Sequence, residues 1–186
     1  VTVMVQPLDQ GGEEMFAVHS AVPGGRSVPK ALLKAAEVAL GQALRTGGNH
    51  GYPLIYVDAA LLDLEWDQAR TTEGAVVGAV LRAVDLAIRE IGTVVMEPLM
   101  RLEILSPDET VGDISAYLQP RRALIHSMDN VGTGGKRICC EVPLAEMFGF
   151  GKALPKLSGG RASFSMEPCG YQALPADVAK RMFEYL

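Results

Sequence analysis

Cysteine is scarce in this sequence: 186 residues hold three, an odd number without regular spacing. That excludes a disulfide framework and suits a reducing compartment, so the expected location is the cytoplasm. Long apolar runs are also missing. The longest, Gly74 to Val84, is interrupted by Gly78 and Arg82 and falls short of the roughly 18 to 20 residues that cross a bilayer, which leaves no membrane partner. The chain starts at Val1 without an initiator methionine, a basic start or an apolar signal region, as expected of a processed or excised piece. Bulk positive charge is absent too. The net charge is -5, with 7 Lys+Arg against 11 Asp+Glu in residues 1–92 and 10 against 11 in residues 93–186. A protein gripping nucleic acid through phosphates alone would be basic, so an RNA partner has to be met by local patches.

What is present is a globular composition, 48% apolar and 21% charged, long enough for two domains of about 90 residues. Residues 1–92 read as strand, strand, helix, strand, helix. Ser27 caps a helix with Pro29 in its first turn and a stripe of Leu32, Leu33, Ala36, Leu40 and Leu44, ended by Arg45 and Gly47. After Gly51-Tyr52-Pro53 comes the strand-like run LIYVDAALLDLEW. A second helix starts after Thr71 and Thr72, with Val77, Leu81, Val84, Ile88 and Ile91 as its stripe, Asp85 and Arg89 paired on the wet side, and Gly92 as its end. In residues 93–186, VVMEPLMRLEILSP is a strand, and a helix opens at Pro107-Asp108-Glu109 and runs through Leu118, stopping before Pro120. RRALIHSMD and KRICCEVPL form a hairpin. LAEMFGFGKALPKLSGG is helical at first and then irregular, RASFSMEPC is a last strand, and a short helix covers 176–186. The order βαββαβ is that of a ferredoxin-like unit, so the fold class is α+β.

Several motifs suggest chemistry. DNVGTGGKRICCE has three glycines before Lys136, but a phosphate loop needs G-x-x-x-x-G-K-[ST] between a strand and a helix; here Asn130 stands at the first glycine, Arg137 follows the lysine, and both flanks are strands. A hairpin turn explains the glycines better. Cys139 and Cys140 are consecutive in a strand and point to opposite faces, and Cys169 sits in a turn-like Pro-Cys-Gly, so no zinc site is expected. His19, His50 and His126 lack a nucleophile motif, with His126 in a strand and His50 in a glycine-rich turn. Glu13, Glu14, Asp63, Glu65 and Asp67 suit solvated edges better than acid/base work. A stand-alone small enzyme therefore rests only on these acids and histidines. Pro23-Gly24-Gly25-Arg26-Ser27 leads into a helix N-terminus, where an anion such as an RNA phosphate fits, as does a plain loop and cap.

Two long stretches carry a resemblance: EPLMRLEILSPDETVGDISAYLQPRRALIHSM and CCEVPLAEMFGFGKALPKLSGGRASFSMEPCGY. They are similar to the last domain of translation elongation factor G. The Gly-Gly and Pro29 before the first helix, Gly51-Tyr52-Pro53 and LEWDQARTTE resemble the domain before it. The resemblance implies a ribosomal protein S5 domain 2-like domain at 1–92 and a ferredoxin-like domain at 93–186 with its helix at 176–186. In that family the first of these reaches the small-subunit decoding region and helps move tRNA and mRNA, while the second docks on large-subunit ribosomal RNA. GTP and Mg²⁺ belong to a G domain with no counterpart here, so this fragment is expected to hold no cofactor or metal and to catalyse nothing. The implied ribosome-contacting tip is Gly24, Gly25, Arg26 and Ser27 with Glu65 to Thr72, centred on Trp66, Asp67 and Gln68. Arg121, Arg122, Lys136 and Arg137 are the implied ribosomal RNA contacts of the second domain. Asp67 stands where the family carries a functionally important histidine, and Ala123 replaces the family's glycine after two arginines. An anion in place of that histidine reverses the local interaction with RNA phosphates, which suits a paralogue acting in ribosome recycling or rescue.

Overall fold

The stripe Leu32, Ala36, Leu40, Leu44 folds as the buried side of α1 (Lys30–Thr46) in the computed structural model, which describes residues 1–8, 16–23, 28–47 and 51–183. Ala39, Gly41 and Ala43 are buried beside it, and small side chains let α1 pack against α2 (Glu73–Ile91). The α1 cap position is held by Pro29, with no side-chain cap bond, and Ser27 lies outside the described residues. Thr72 does cap α2, its Oγ1 accepting from the Ala75 amide at 3.2 Å. The inward line of α2 is Val76, Val80, Val84 and Ile88, so Val77 and Leu81 sit at its margin. Ile91, expected on the stripe, is 65% exposed because the helix ends one residue later at Gly92, in a left-handed turn. Asp85 and Arg89 pair at 3.1 Å on the outer side.

These helices cover a three-stranded sheet of order β1-β3-β2, formed by β1 (Thr2–Pro7), β2 (Phe16–Ser20) and β3 (Val57–Asp63). β1 runs antiparallel to β3, and β2 runs parallel to it. Together these elements make one compact unit, Val1–Thr93, with its own core.

The second unit, Val94–Leu186, is built on β4 (Met96–Pro107), which pairs antiparallel on both sides. A single 3-10 turn, Asp108–Thr110, leads into α3 (Val111–Leu118), and Gln119–Arg121 closes it with a second such turn. β5 (Leu124–Val131) and β6 (Gly135–Pro143) make the hairpin. The next stretch reverses its expected order. A brief 3-10 turn at Leu144–Met147 comes first, and the true helix, α4 (Phe150–Ser158), follows with Pro155 inside it. Pro155 removes one hydrogen bond of the helix, the one to the Gly151 carbonyl, and α4 continues past it to Ser158. β7 (Ser163–Ala173) and α5 (Ala176–Phe183) complete the chain. The sheet order β5-β6-β4-β7 with its βαββαβ sequence is the ferredoxin-like arrangement.

Met100, Leu102 and Ile104 of β4 join Ile138, Cys140 and Val142 of β6 beneath Ile114, Leu118, Phe150 and Leu154. Phe150 meets Phe164 edge-on, with centroids 5.0 Å apart. Cys169 lies within β7 and not in a turn. It is the extra residue of a bulge, since Leu99 faces Gly170 while Met100 faces Pro168.

Truncating Leu40 to alanine is expected to lower the stability of the first unit by about 2–5 kcal/mol. Urea unfolding followed by the fluorescence of Trp66, the one tryptophan of the chain, reads that unit directly. An unmoved midpoint would mean that the α1 stripe does not carry the core.

Candidate functional site

β2 and β3 run parallel, with Ser20 opposite Leu61 and the Ala21 amide donating to the Leu61 carbonyl at 2.9 Å. Both strands therefore leave the sheet at one end. The segment after β2 includes Gly24, Gly25, Arg26 and Ser27, which lie outside the described residues. The segment after β3 is described. Leu64, 1% exposed, pins its start into the core, and the Thr72 cap fixes its end at α2.

Between those anchors Asp67 organises the loop. Its carboxylate accepts from the Ala69 amide at 2.9 Å, its carbonyl accepts from the Thr71 amide at 2.9 Å, and its own amide donates to Thr71 Oγ1 at 2.9 Å. This is an Asx turn, which uses a carboxylate to do locally what a backbone carbonyl would do. Trp66, Gln68 and Arg70 are left on the exposed side. The loop thus presents the exposed Trp66 with Glu65, Asp67 and Arg70 around it, and its carboxylates outnumber its cations. Asp67 is first a structural residue of its own turn.

The four cations proposed from the second half separate by their partners. Arg122 adopts a left-handed backbone (φ 55°) at the entry to β5 and donates to both oxygens of Glu97 and, at 2.9 Å, to Glu146. Glu97 is 6% exposed and also accepts from Gln172 at 3.1 Å. The hydrogen bond to Glu97 raises the Arg122 pKa above its ordinary value, opposed by burial and reinforced by Glu146. Arg122 is therefore a clamp within the fold and not a group offered to RNA. Arg121 lies over the Tyr117 ring, 3.5 Å from its centroid, and donates to the Tyr117 carbonyl at 2.7 Å. Lys136 pairs with Asp108 at 3.3 Å and Arg137 with Glu103 at 3.3 Å, both pairs facing water.

Among the described residues no other cluster assembles. His126 is the bulge residue of β5 and lies 3.4 Å from Glu141; His19 Nδ1 lies 3.1 Å from Asp58, whose other oxygen accepts from Gln6 at 2.9 Å. His50, Glu13 and Glu14 are outside the described residues. Cys140 is fully buried and Cys139 half-buried on the opposite face. Burial pushes the Cys140 thiol up from its ordinary 9.0 to about 11, with a smaller contribution from Cys139, and burial likewise raises Cys169. Among the described residues no group of three or more His, Cys, Asp or Glu side chains could hold a metal ion, and no helix is long and apolar enough to cross a membrane.

Residues 94–182 match the sequence model of the elongation factor G C-terminus. The second unit is an elongation factor G C-terminal domain. Over 98% of its length the chain is also similar to a crystal structure of a protein from Thermus thermophilus, with 28% identity and a TM-score of 0.83. It spans 27% of that protein's length. The ferredoxin-like topology of the second unit agrees with that match. Glu97, Glu146 and Gln172 were missed as members of the Arg122 cluster, and the only trace of the first was an acid inside the strand-like run VVMEPLM. Arg161 was missed as well; it pairs with Glu109 at 2.5 Å.

Replacing Arg122 by alanine strands a buried carboxylate and is expected to cost about 3 kcal/mol, seen as a lower guanidinium midpoint for the second unit. Lysine there should recover less than half, because it cannot fork onto both Glu97 oxygens. Titration of Cys140 sets a separate limit. Its thiol is uncharged in the fold below about pH 11 but ionises from pH 9.0 in the unfolded chain, so its contribution to stability is intact below pH 9.0 and declines between the two. A Cys140→Ala chain should lose that part of the alkaline decline, as measured by melting temperature against pH.

Proposed function

We propose that this chain is the ribosome-binding part of an elongation-factor-G-type translational GTPase whose intact form promotes the movement of tRNA and mRNA. The observation that carries this reading is the match of residues 94–182 to the elongation factor G C-terminus. On this reading residues 1–92 correspond to the preceding domain, and residues 24–27 and 65–72 belong to its tip toward the decoding region of the small subunit. Lys136 and Arg137, whose partner acids lie at the surface, and Arg121, which lies over the Tyr117 ring, contact large-subunit ribosomal RNA. GTP and Mg²⁺ are held by a G domain elsewhere in the parent protein, which works in the cytoplasm. This chain itself carries out no catalysis.

A second reading, a paralogue specialised for ribosome recycling or rescue, is favoured by Asp67. Where the family presents a histidine, this loop commits a carboxylate to its own turn, and an anion repels phosphates.

Two measurements test these readings. The chain should sediment with ribosomes at low salt and be released as salt rises, since surface charges are screened; failure to sediment at any salt overturns the proposal. In the intact protein, Asp67→His should raise single-turnover translocation if the factor is a translocase. No gain, from a parent already slow in translocation, would instead support the recycling or rescue role.

A further inference from the structure

The helices of the first unit cover one face of its sheet, where Val57, Ala59 and Leu61 of β3 join the core. Side chains alternate along a strand, so Asp58 and Ala60 lie on the opposite face. Gln6 is the partner of Asp58 on β1, Ala17 is its partner on β2, and His19 is the partner of Ala60. Half of the His19 side chain is exposed on that face, yet Asp58 is only 7% exposed. The carboxylate is held from one side. Its Oδ2 accepts from Gln6 Nε2 at 2.9 Å, while Oδ1 is buried and has no hydrogen-bond partner among the described residues. His19 Nδ1 stands 3.1 Å from Oδ1 without making a hydrogen bond to it. A buried carboxylate oxygen left in this state is costly, and a cation at that point offsets the cost.

We propose that Asp58 and His19 bind a divalent transition-metal ion of the zinc type, with Oδ1 and Nδ1 as its two protein ligands and water in the remaining positions. Two such ligands, each about 2.0–2.2 Å from one ion and set at a right or tetrahedral angle, stand about 3.0–3.4 Å apart and aim at the metal, not at each other. The 3.1 Å between Nδ1 and Oδ1 falls in that range. One imidazole with one carboxylate suits zinc and its neighbours better than magnesium or calcium, which take oxygen ligands. Gln6 acts as an outer partner does in a metal site, fixing the carboxylate through Oδ2 and leaving Oδ1 free. Ala17 and Ala60 contribute only methyl groups beside the pair. Two protein ligands make an open site, weaker than the three- and four-ligand sites of zinc proteins. The inference goes beyond the ribosomal reading, does not depend on it, and gives His19 a role which that reading leaves unused.

The test titrates the whole chain, labelled for nitrogen NMR and held in a buffer that does not chelate, with Zn²⁺ alone and, separately, with Mg²⁺. Zn²⁺ should shift the Nδ1 resonance of His19 and the amides of Ala17, His19 and Asp58, and Mg²⁺ at the same concentration should not. His19→Ala and Asp58→Asn should each lose the response. Gln6→Ala leaves both ligands in place and should weaken binding about tenfold or more, while His126→Ala, in the other unit, should bind as the unaltered chain does. Because Asp58→Asn alters a buried group, His19→Ala, at a half-exposed side chain, serves as the second variant: Zn²⁺ should raise the melting temperature of the unaltered chain and leave that of the variant where it was. Zn²⁺ shifts confined to His126, Cys139 or Cys169, an unchanged response in His19→Ala, or an equal response to Mg²⁺ each overturn the proposal. Sedimentation of the unaltered chain with ribosomes reports on the ribosomal reading alone, so either can fail while the other stands.

Discussion

The second unit depends on one buried carboxylate. Glu97 sits at the start of β4, the strand that pairs on both sides, and it draws in Arg122 from the entry to β5 and Gln172 from β7. Arg122 then reaches Glu146, in the turn that joins β6 to α4. Three connections thus meet on one ion pair, and the arginine's backbone is held in the left-handed region at a cost of about 1–2 kcal/mol. Buried ions of this kind are costly singly and tolerable together, so the two ends of the clamp stand or fall as a pair.

Burial also sorts the remaining charges. Arg101 with Glu167, Arg137 with Glu103 and His126 with Glu141 are cross-strand pairs on the surface of the sheet. Such pairs contribute about 0.2–1 kcal/mol each. Arg122 differs from these only in what surrounds it, and that difference converts a candidate RNA contact into an internal tie. Lys136 and Arg161 are paired with acids that water already solvates, Asp108 and Glu109.

Much of this was legible in the sequence where a period repeated. α1 followed its apolar spacing, α2 did so at Val84 and Ile88 but with Val76 and Val80 inward in place of Val77 and Leu81, and the hairpin followed its glycines between two strand-like runs. Misreadings came where one residue overrode the pattern. The run LAEMFGFGKALPKLSGG reads as helical first and irregular later, whereas a 3-10 turn comes first and α4, with Pro155 inside it, takes the later part. Ile91 has the right spacing for the core but sits on the last turn, beyond the sheet it would have packed against. Asp67 was legible as an anion but not as a turn builder, since an Asx turn depends on backbone dihedrals that no period encodes. Arg122 was legible as a cation, but Glu97 lies 25 residues before it and Glu146 24 residues after it, and only the closed sheet brings them together.

The loop after β3 has a property that goes beyond its charge. Its backbone is already engaged by Asp67, Thr71 and Thr72, and its first residue is sunk in the core. A segment ordered in advance loses little conformational entropy when it meets a surface. It also cannot remould itself to that surface. In the proposed role as a tip, such a loop works by fit of an ordered backbone, less forgiving of a changed partner shape than a pliable loop would be, and quicker to let go when the shape no longer matches.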